Sequence, residues 1–130
     1  MSVGVLEDAG GAVQVLPVLE ARTPNGVYSY AAKRGTAACD YHCPAWVSPI
    51  TLADLEHQAA TAHRSLGCHS YSRHDFVVGD GNPWWLEVNT LPDLSKGGNL
   101  ARMATAGRIS CELLLTRILR GADIDRRTRP

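Results

Sequence analysis

Four side chains in one short stretch could together hold a divalent cation against an anion: Arg73, Asp75, Glu87 and Asn89. They lie in YSRHDFVVGDGNPWWLEVNTLP, residues 71 to 92. Two apolar-rich runs, Tyr71 to Val78 and Trp84 to Asn89, flank the turn formers Gly79-Asp80-Gly81-Asn82-Pro83, a pattern that predicts a β-hairpin. Alternation along each strand assigns Phe76, Val78, Trp84, Leu86 and Val88 to a core face. It assigns Arg73, Asp75, Glu87 and Asn89 to the other face. Closure about Gly81 sets Asp75 opposite Glu87 and Arg73 opposite Asn89, at about 4.5 to 5.5 Å between Cβ atoms. Two carboxylates that close repel unless a cation or a proton lies between them. Magnesium takes hard oxygen ligands, commonly one or two carboxylates completed by substrate phosphates. Asp75, Glu87 and the amide oxygen of Asn89 form such a half-shell, and Arg73 adds a guanidinium for phosphate oxygens or a developing oxyanion. A solvated face with an Arg–Glu cross-strand pair would carry the same pattern, so the local chemistry alone leaves both readings open.

The elements that must position these residues are legible along the chain. Val3 to Glu7 is a short apolar run, and Asp8-Ala9-Gly10-Gly11 turns it. Val13 to Glu20 reads as a second strand, with Pro17 at an edge or a bulge. Thr23-Pro24-Asn25-Gly26 is a turn, and Val27 to Lys33 returns as a third strand, giving an antiparallel meander. Thr51 is the expected cap of a helix whose apolar stripe is Leu52, Leu55, Ala59, Ala62 and Leu66, with Gly67 as its stop. His57 and His63 are assigned to the surface beside that stripe. After the hairpin, Asp93 to Asn99 is a Gly-rich loop, and Asn99 is the expected N-cap of a helix over Leu100 to Ala106. A helix start presents unpaired N–H groups to an anion. Gly107 breaks that helix, and Ser110 caps another that ends near Gly121. The expected organisation is one domain over 1–121 and a polar, basic tail over 122–130.

Composition bounds the function. The 130 residues carry 13 acidic and 13 basic side chains, so no net field points to nucleic acid or to a membrane surface. No apolar run approaches the roughly 20 residues of a membrane span, and the start lacks the layout of a signal peptide. The expected location is the cytoplasm, with the four cysteines as reduced thiols. Cys39, His42 and Cys43, with Cys68 and His69 further on, invite a zinc reading as an interaction module. Their spacing is looser than the paired dyads of structural zinc sites.

Arg73-His74-Asp75-Phe76 and Leu86-Glu87-Val88-Asn89-Thr90-Leu91-Pro92 resemble the C-terminal part of the D-alanine–D-alanine ligases, members of the ATP-grasp superfamily. Tyr28-Ser29-Tyr30-Ala31-Ala32-Lys33 resembles that family's Tyr-Asp-Tyr-Glu-Ala-Lys signature. Tyr41-His42-Cys43-Pro44-Ala45 is similar to its Cys-Pro-Ala turn, and Leu66-Gly67-Cys68 to its Leu-Gly-Cys helix end. The four blocks fall in the family's order across about residues 2 to 120. The resemblance implies an α+β fold, an antiparallel sheet with packed helices on one side, like the C-terminal subdomain of an ATP-grasp ligase. It implies ATP-dependent joining of two D-amino acids through an acyl phosphate, as in peptidoglycan synthesis for the cell wall, with Mg2+ or Mn2+ as cofactor. Residue by residue, Asp75, Glu87 and Asn89 match the magnesium ligands, Arg73 the oxyanion-stabilising arginine and Lys33 the phosphate lysine. Asn99 and Leu100 fall where the acceptor carboxylate is held.

The sequence also departs from the family. Arg34 stands where the family has tyrosine, Asp93 where it has glycine, and Gly97-Gly98-Asn99 where it places a serine. The N-terminal domain, the nucleotide lid and the ribose-binding glutamate would all precede Met1. The expectation is therefore one wall of a ligase, completed by a second chain or by a homodimer. The alternative is an accessory Mg-nucleotide-binding or partner-binding domain without turnover.

Overall fold

The computed structural model describes residues 1–24, 26, 31 and 38–128. A four-stranded antiparallel sheet runs in the order β2-β1-β5-β6, from β1 (Ser2–Glu7), β2 (Val13–Val15), β5 (Tyr71–Gly79) and β6 (Asn82–Asn89). A separate two-stranded sheet pairs β3 (Glu20–Arg22) with β4 (Asp40–His42). The helices are α1 (Pro49–Ser65), α2 (Asn99–Ala106) and α3 (Cys111–Thr128).

β1 is apolar on both faces because both faces are covered. Val3 and Val5 join Phe76, Leu55 and Ala59 in one core, under α1. Leu6 joins Tyr71, Leu100, Met103, Leu114 and Ile118 in another, under α2 and α3. The architecture is the expected antiparallel sheet with packed helices, but the helices lie on both sides of it rather than on one. The second layer covers only the β1–β2 side of its face, around Leu6 and Tyr71. Arg73 and Asp75, further along β5, remain partly accessible.

The expected strand Val13 to Glu20 is split at Pro17, which has no N–H to give to a ladder. The segment nonetheless keeps to the edge of β1, through Leu16 N–H to the Gly4 carbonyl (2.8 Å) and a bridge between Ser2 and Leu19. β3 then pairs with Tyr41 and His42, residues expected to lead into a turn. The expected strand Val27 to Lys33, apart from Ala31, lies outside the described residues, and Lys33 and Arg34 with it.

Ser48, not Thr51, caps α1: its Oγ accepts the Thr51 N–H at 3.1 Å, ahead of Pro49 in the first turn. Thr51 is buried instead and donates its hydroxyl to the Gly81 carbonyl (2.8 Å), tying the helix start to the hairpin tip. The buried stripe is Thr51, Leu55, Ala59 and His63, so His63 is a core residue and Leu66 is exposed, contrary to expectation. α1 does stop at Gly67, whose φ is +64°.

Gly98 rather than Asn99 is the N-cap of α2, and it offers no side chain to the first turn. Gly107 ends α2 as expected, and Ser110 Oγ accepts the Leu113 N–H (3.2 Å) at the start of α3. α3 does not end at Gly121 but continues to Thr128. Gly121 is there for proximity: a Cβ on it would stand 2.9 Å from Ser70 Oγ and 3.0 Å from Ser70 Cβ. Ser70 holds that approach by donating to the Ile118 carbonyl (2.8 Å).

Candidate functional site

The hairpin pairs Arg73 with Asn89 and Asp75 with Glu87, the register expected from closure about Gly81. Nearer the tip the register differs by one. Asp80 (φ +52°) and Gly81 (φ +79°) make a two-residue turn, so Gly79 faces Asn82 and Phe76 faces Trp85. Positive φ at both central residues is what Asp-Gly favours in a hairpin whose strands twist together. The two registers are reconciled by a β-bulge, in which Leu86 is the extra residue of β6.

The bulge changes which aromatic ring faces which way. Trp84, expected in the core, pairs with Val77 on the Arg73–Asp75 face and is 66% exposed. Leu86, also expected in the core, is 57% exposed. Trp85 takes the α1 face instead, opposite Phe76. Phe76 is buried, and Val78 is partly buried against the same core, as alternation requires.

On the open face Asp75 is held from two directions. Ser2 Oγ donates to its Oδ1 at 2.6 Å. Arg73 forks onto both oxygens, Nε to Oδ1 at 3.0 Å and the terminal nitrogen to Oδ2 at 2.8 Å. Glu87 is exposed opposite. Asn89 Oδ1 accepts the Leu91 N–H (2.9 Å) and retains a second lone pair. The donor set is two carboxylates and one amide oxygen, hard ligands that suit Mg2+ or Mn2+ better than a thiophilic metal. It supplies half an octahedron, and phosphate oxygens and water would supply the rest. Among the described residues no group of three or more His, Cys, Asp or Glu is placed to hold a metal. Cys43 Sγ is turned to the Pro17 carbonyl (3.4 Å), and burial pushes its thiol up to about 11.

Around the start of α2, Leu100 buries its side chain in the core and leaves only its backbone N–H for a ligand. Asp93 stands beside that helix start. Its Oδ1 accepts the Ser95 N–H (2.9 Å) and its Oδ2 the Ser95 hydroxyl (2.7 Å). Those bonds hold its carboxyl below the usual range, and Oδ2 lies 3.0 Å from where a Cβ on Gly98 would sit. A fixed negative charge thus shares the region that would receive an acceptor carboxylate. Arg102 braces the loop, donating to the Gly97 carbonyl (3.2 Å) and lying 4.8 Å over the Tyr41 ring.

Behind the open face runs a buried polar chain that sequence reasoning missed. Ser72 Oγ lies 2.7 Å from His63 Nδ1 and 2.9 Å from His74 Nε2, and His74 Nδ1 lies 3.3 Å from Trp85 Nε1. An indole N–H can only donate, so His74 accepts at Nδ1 and, as a neutral ring, donates from Nε2 to Ser72. Ser72 must then donate to His63 Nδ1, which places the His63 proton on Nε2, facing Glu7 Oε2 at 3.5 Å. One direction of donation therefore runs from β6 through β5 to α1, and stops there: His63 Nε2 and Glu7 Oε2 face each other buried, neither with a hydrogen-bond partner. Burial is the main cause that pulls His74 down to about 4, with His63 adding to it; burial also lowers His63. The signal for this chain was available in the alternation, because Ser72 and His74 share their face of β5 with Phe76.

The chain matches the family model described as D-ala D-ala ligase C-terminus over residues 1–120. It belongs to the D-alanine–D-alanine ligase family, as the C-terminal domain. It is 39% identical over 107 residues to a D-alanine–D-alanine ligase of Pseudoalteromonas translucida, covering 82% of this chain and 35% of that protein. It is 34% identical over 122 residues to that of Thermotoga maritima, covering 94% and 40%. The crystal structure of the Bacillus anthracis D-alanine–D-alanine ligase complexed with ATP superimposes with a TM-score of 0.74 at 21% identity, over 97% of this chain and 39% of that one. The Coxiella burnetii ligase gives the same TM-score, over 96% and 31%. These structural likenesses establish the fold, an α+β ATP-grasp ligase domain. The chain spans between a third and two fifths of the length of these curated relatives. No helix among the described residues is long and apolar enough to cross a membrane.

Proposed function

We propose that this chain is the Mg-ATP and acceptor-side wall of an ATP-dependent D-alanine–D-alanine ligase acting in the cytoplasm. In that reaction a donor carboxylate oxygen attacks the γ-phosphorus and the bond to the β-phosphate oxygen breaks, releasing ADP. The acceptor amine then attacks the acyl carbon, the carbon–oxygen bond to phosphate breaks, and the amine loses a proton to solvent. Asp75, Glu87 and Asn89 would hold the divalent cation, which when bound neutralises phosphate charge. Arg73 would stabilise the oxyanion, Lys33 would meet phosphate oxygens, and the N–H groups of Asn99 and Leu100 would meet the acceptor carboxylate. Such catalysis rests on positioning and on charge compensation.

The observation that carries this reading is the pairing of Asp75 with Glu87, flanked by Arg73 and Asn89, on a sheet face that the helices leave open. Calorimetric titration with Mg2+ and ATP tests it. The unmodified chain should bind the pair better than either component alone, and Asp75→Ala and Glu87→Ala should each abolish that gain. Both variants should stay folded, because neither carboxylate belongs to a core cluster. Equal nucleotide-dependent binding in all three proteins would overturn the assignment.

A second reading, an accessory Mg-nucleotide-binding domain without turnover, is favoured by one observation: the Asp93 carboxylate stands beside the helix start that would receive an acceptor carboxylate. It keeps the same ligands and predicts binding without phosphate release.

A further inference from the structure

Resting on the metal–nucleotide site proposed above, we propose that Ser2 is a positioning residue for Asp75. β5 lies between two neighbours, and Asp75 is flanked by Glu87 on β6 and by Ser2 on β1. Glu87 can only repel an ionised Asp75. Ser2 can only donate to it, and does so at 2.6 Å to Oδ1, a short charge-assisted bond. Arg73 Nε also donates to Oδ1, so both lone pairs of that oxygen are engaged. Oδ2 receives the terminal Arg73 nitrogen at 2.8 Å, with a longer contact from Nε at 3.3 Å, and keeps capacity for one further partner.

Two consequences follow from this count. Asp75 would offer a cation one oxygen, Oδ2, and so bind in monodentate fashion. The choice of that oxygen would be made by Ser2, because Arg73 alone contacts both oxygens and distinguishes them little. Ser2 is well suited to this, since β1 is an inner strand buried on both faces and makes a rigid base. Orienting partners of this kind commonly account for 10- to 100-fold in metal affinity.

The experiment compares Ser2→Thr, which keeps the hydroxyl, with Ser2→Val, which has the same shape without it. Both suit a strand, so a difference between them reports the hydroxyl rather than folding. The probe is Mn2+ with ATP, measured by calorimetry on the intact chain, with thermal midpoints recorded alongside. Ser2→Val should weaken binding about tenfold while Ser2→Thr stays within about twofold of the parent. In an Asp75→Ala background the two substitutions should be indistinguishable, because the hydroxyl would act through the carboxylate. If Ser2→Val binds like the parent while Asp75→Ala does not, the positioning role is wrong and the metal site stands. If Asp75→Ala also binds like the parent, the metal-site reading itself has failed.

Discussion

At the scale of single residues, the molecule buries His63, which the sequence assigns to the surface, together with a second histidine, His74. His74 is wholly buried, with a folded pKa of about 4 against an ordinary value near 6.5. The unfolded chain therefore takes up a proton on acidification before the folded chain does. The stability attached to neutral His74 is fully present above about pH 6.5 and is lost progressively as pH falls toward 4. The size of the effect is about 3 kcal/mol, and His63, lowered for the same reason, acts in the same direction. Urea midpoints measured between pH 7.5 and 4 should fall across that window, and a His74→Gln variant should lose most of the slope. A flat midpoint would mean that the rings are solvated or already charged. The buried chain was within reach of the alternation, which sets Ser72 and His74 on the face of Phe76, but the contact of Ser2 could not be read from the sequence because its partner is distant along it. Ser2 and Asp75 are 73 positions apart, and only the β1–β5 register brings them together.

At the scale of elements, legibility followed how local each determinant is. The half of the hairpin that carries Arg73, Asp75, Glu87 and Asn89 was legible, since alternation over one strand pair fixes it. The half nearer the tip was not, because the same letters fit a two- or a three-residue loop. Asp-Gly chose the shorter loop, and Leu86 took up the difference. The stripe of α1 was displaced because the helix start is tied to the hairpin by Thr51, which turns His63 rather than Ala62 inward. Gly121 reads as a helix stop when only its weak helix propensity is weighed, but it lies inside α3 against Ser70. Gly121→Val should therefore destabilise the protein by about 1 to 3 kcal/mol through overpacking, although valine forms helix better than glycine. The thermal midpoint decides it: a rise would mean that the Ser70 contact yields easily.

At the scale of the whole molecule, one sheet separates a closed core from the candidate site. The face under α1 is a closed core with a polar chain running through it, and the opposite face is half core and half open site. The open half shows solvent the rings and chains of Val77 and Trp84. Glu87 is exposed on that half, where a charge acts through water and is worth little. The 130-residue polypeptide alone is therefore expected to release no phosphate from ATP with D-alanine and magnesium. Release proportional to chain concentration, and abolished by Glu87→Ala, would show a complete minimal ligase instead. The bulge, finally, gives the chain one residue of slack. Removing a residue from inside a paired strand ordinarily sends every side chain beyond it to the wrong side. A polypeptide lacking Leu86 would instead pair one-to-one from Gly79–Asn82 to Arg73–Asn89, with Glu87 still across from Asp75. Deletion of Val88, two positions on, loses a ligand either way: taking up the slack would set Glu87 opposite His74 on the core face, and keeping the bulge would set Asn89 there instead. Single-codon deletions at these two positions should thus part company, the first giving folded protein that still binds Mn2+ and ATP, the second giving none.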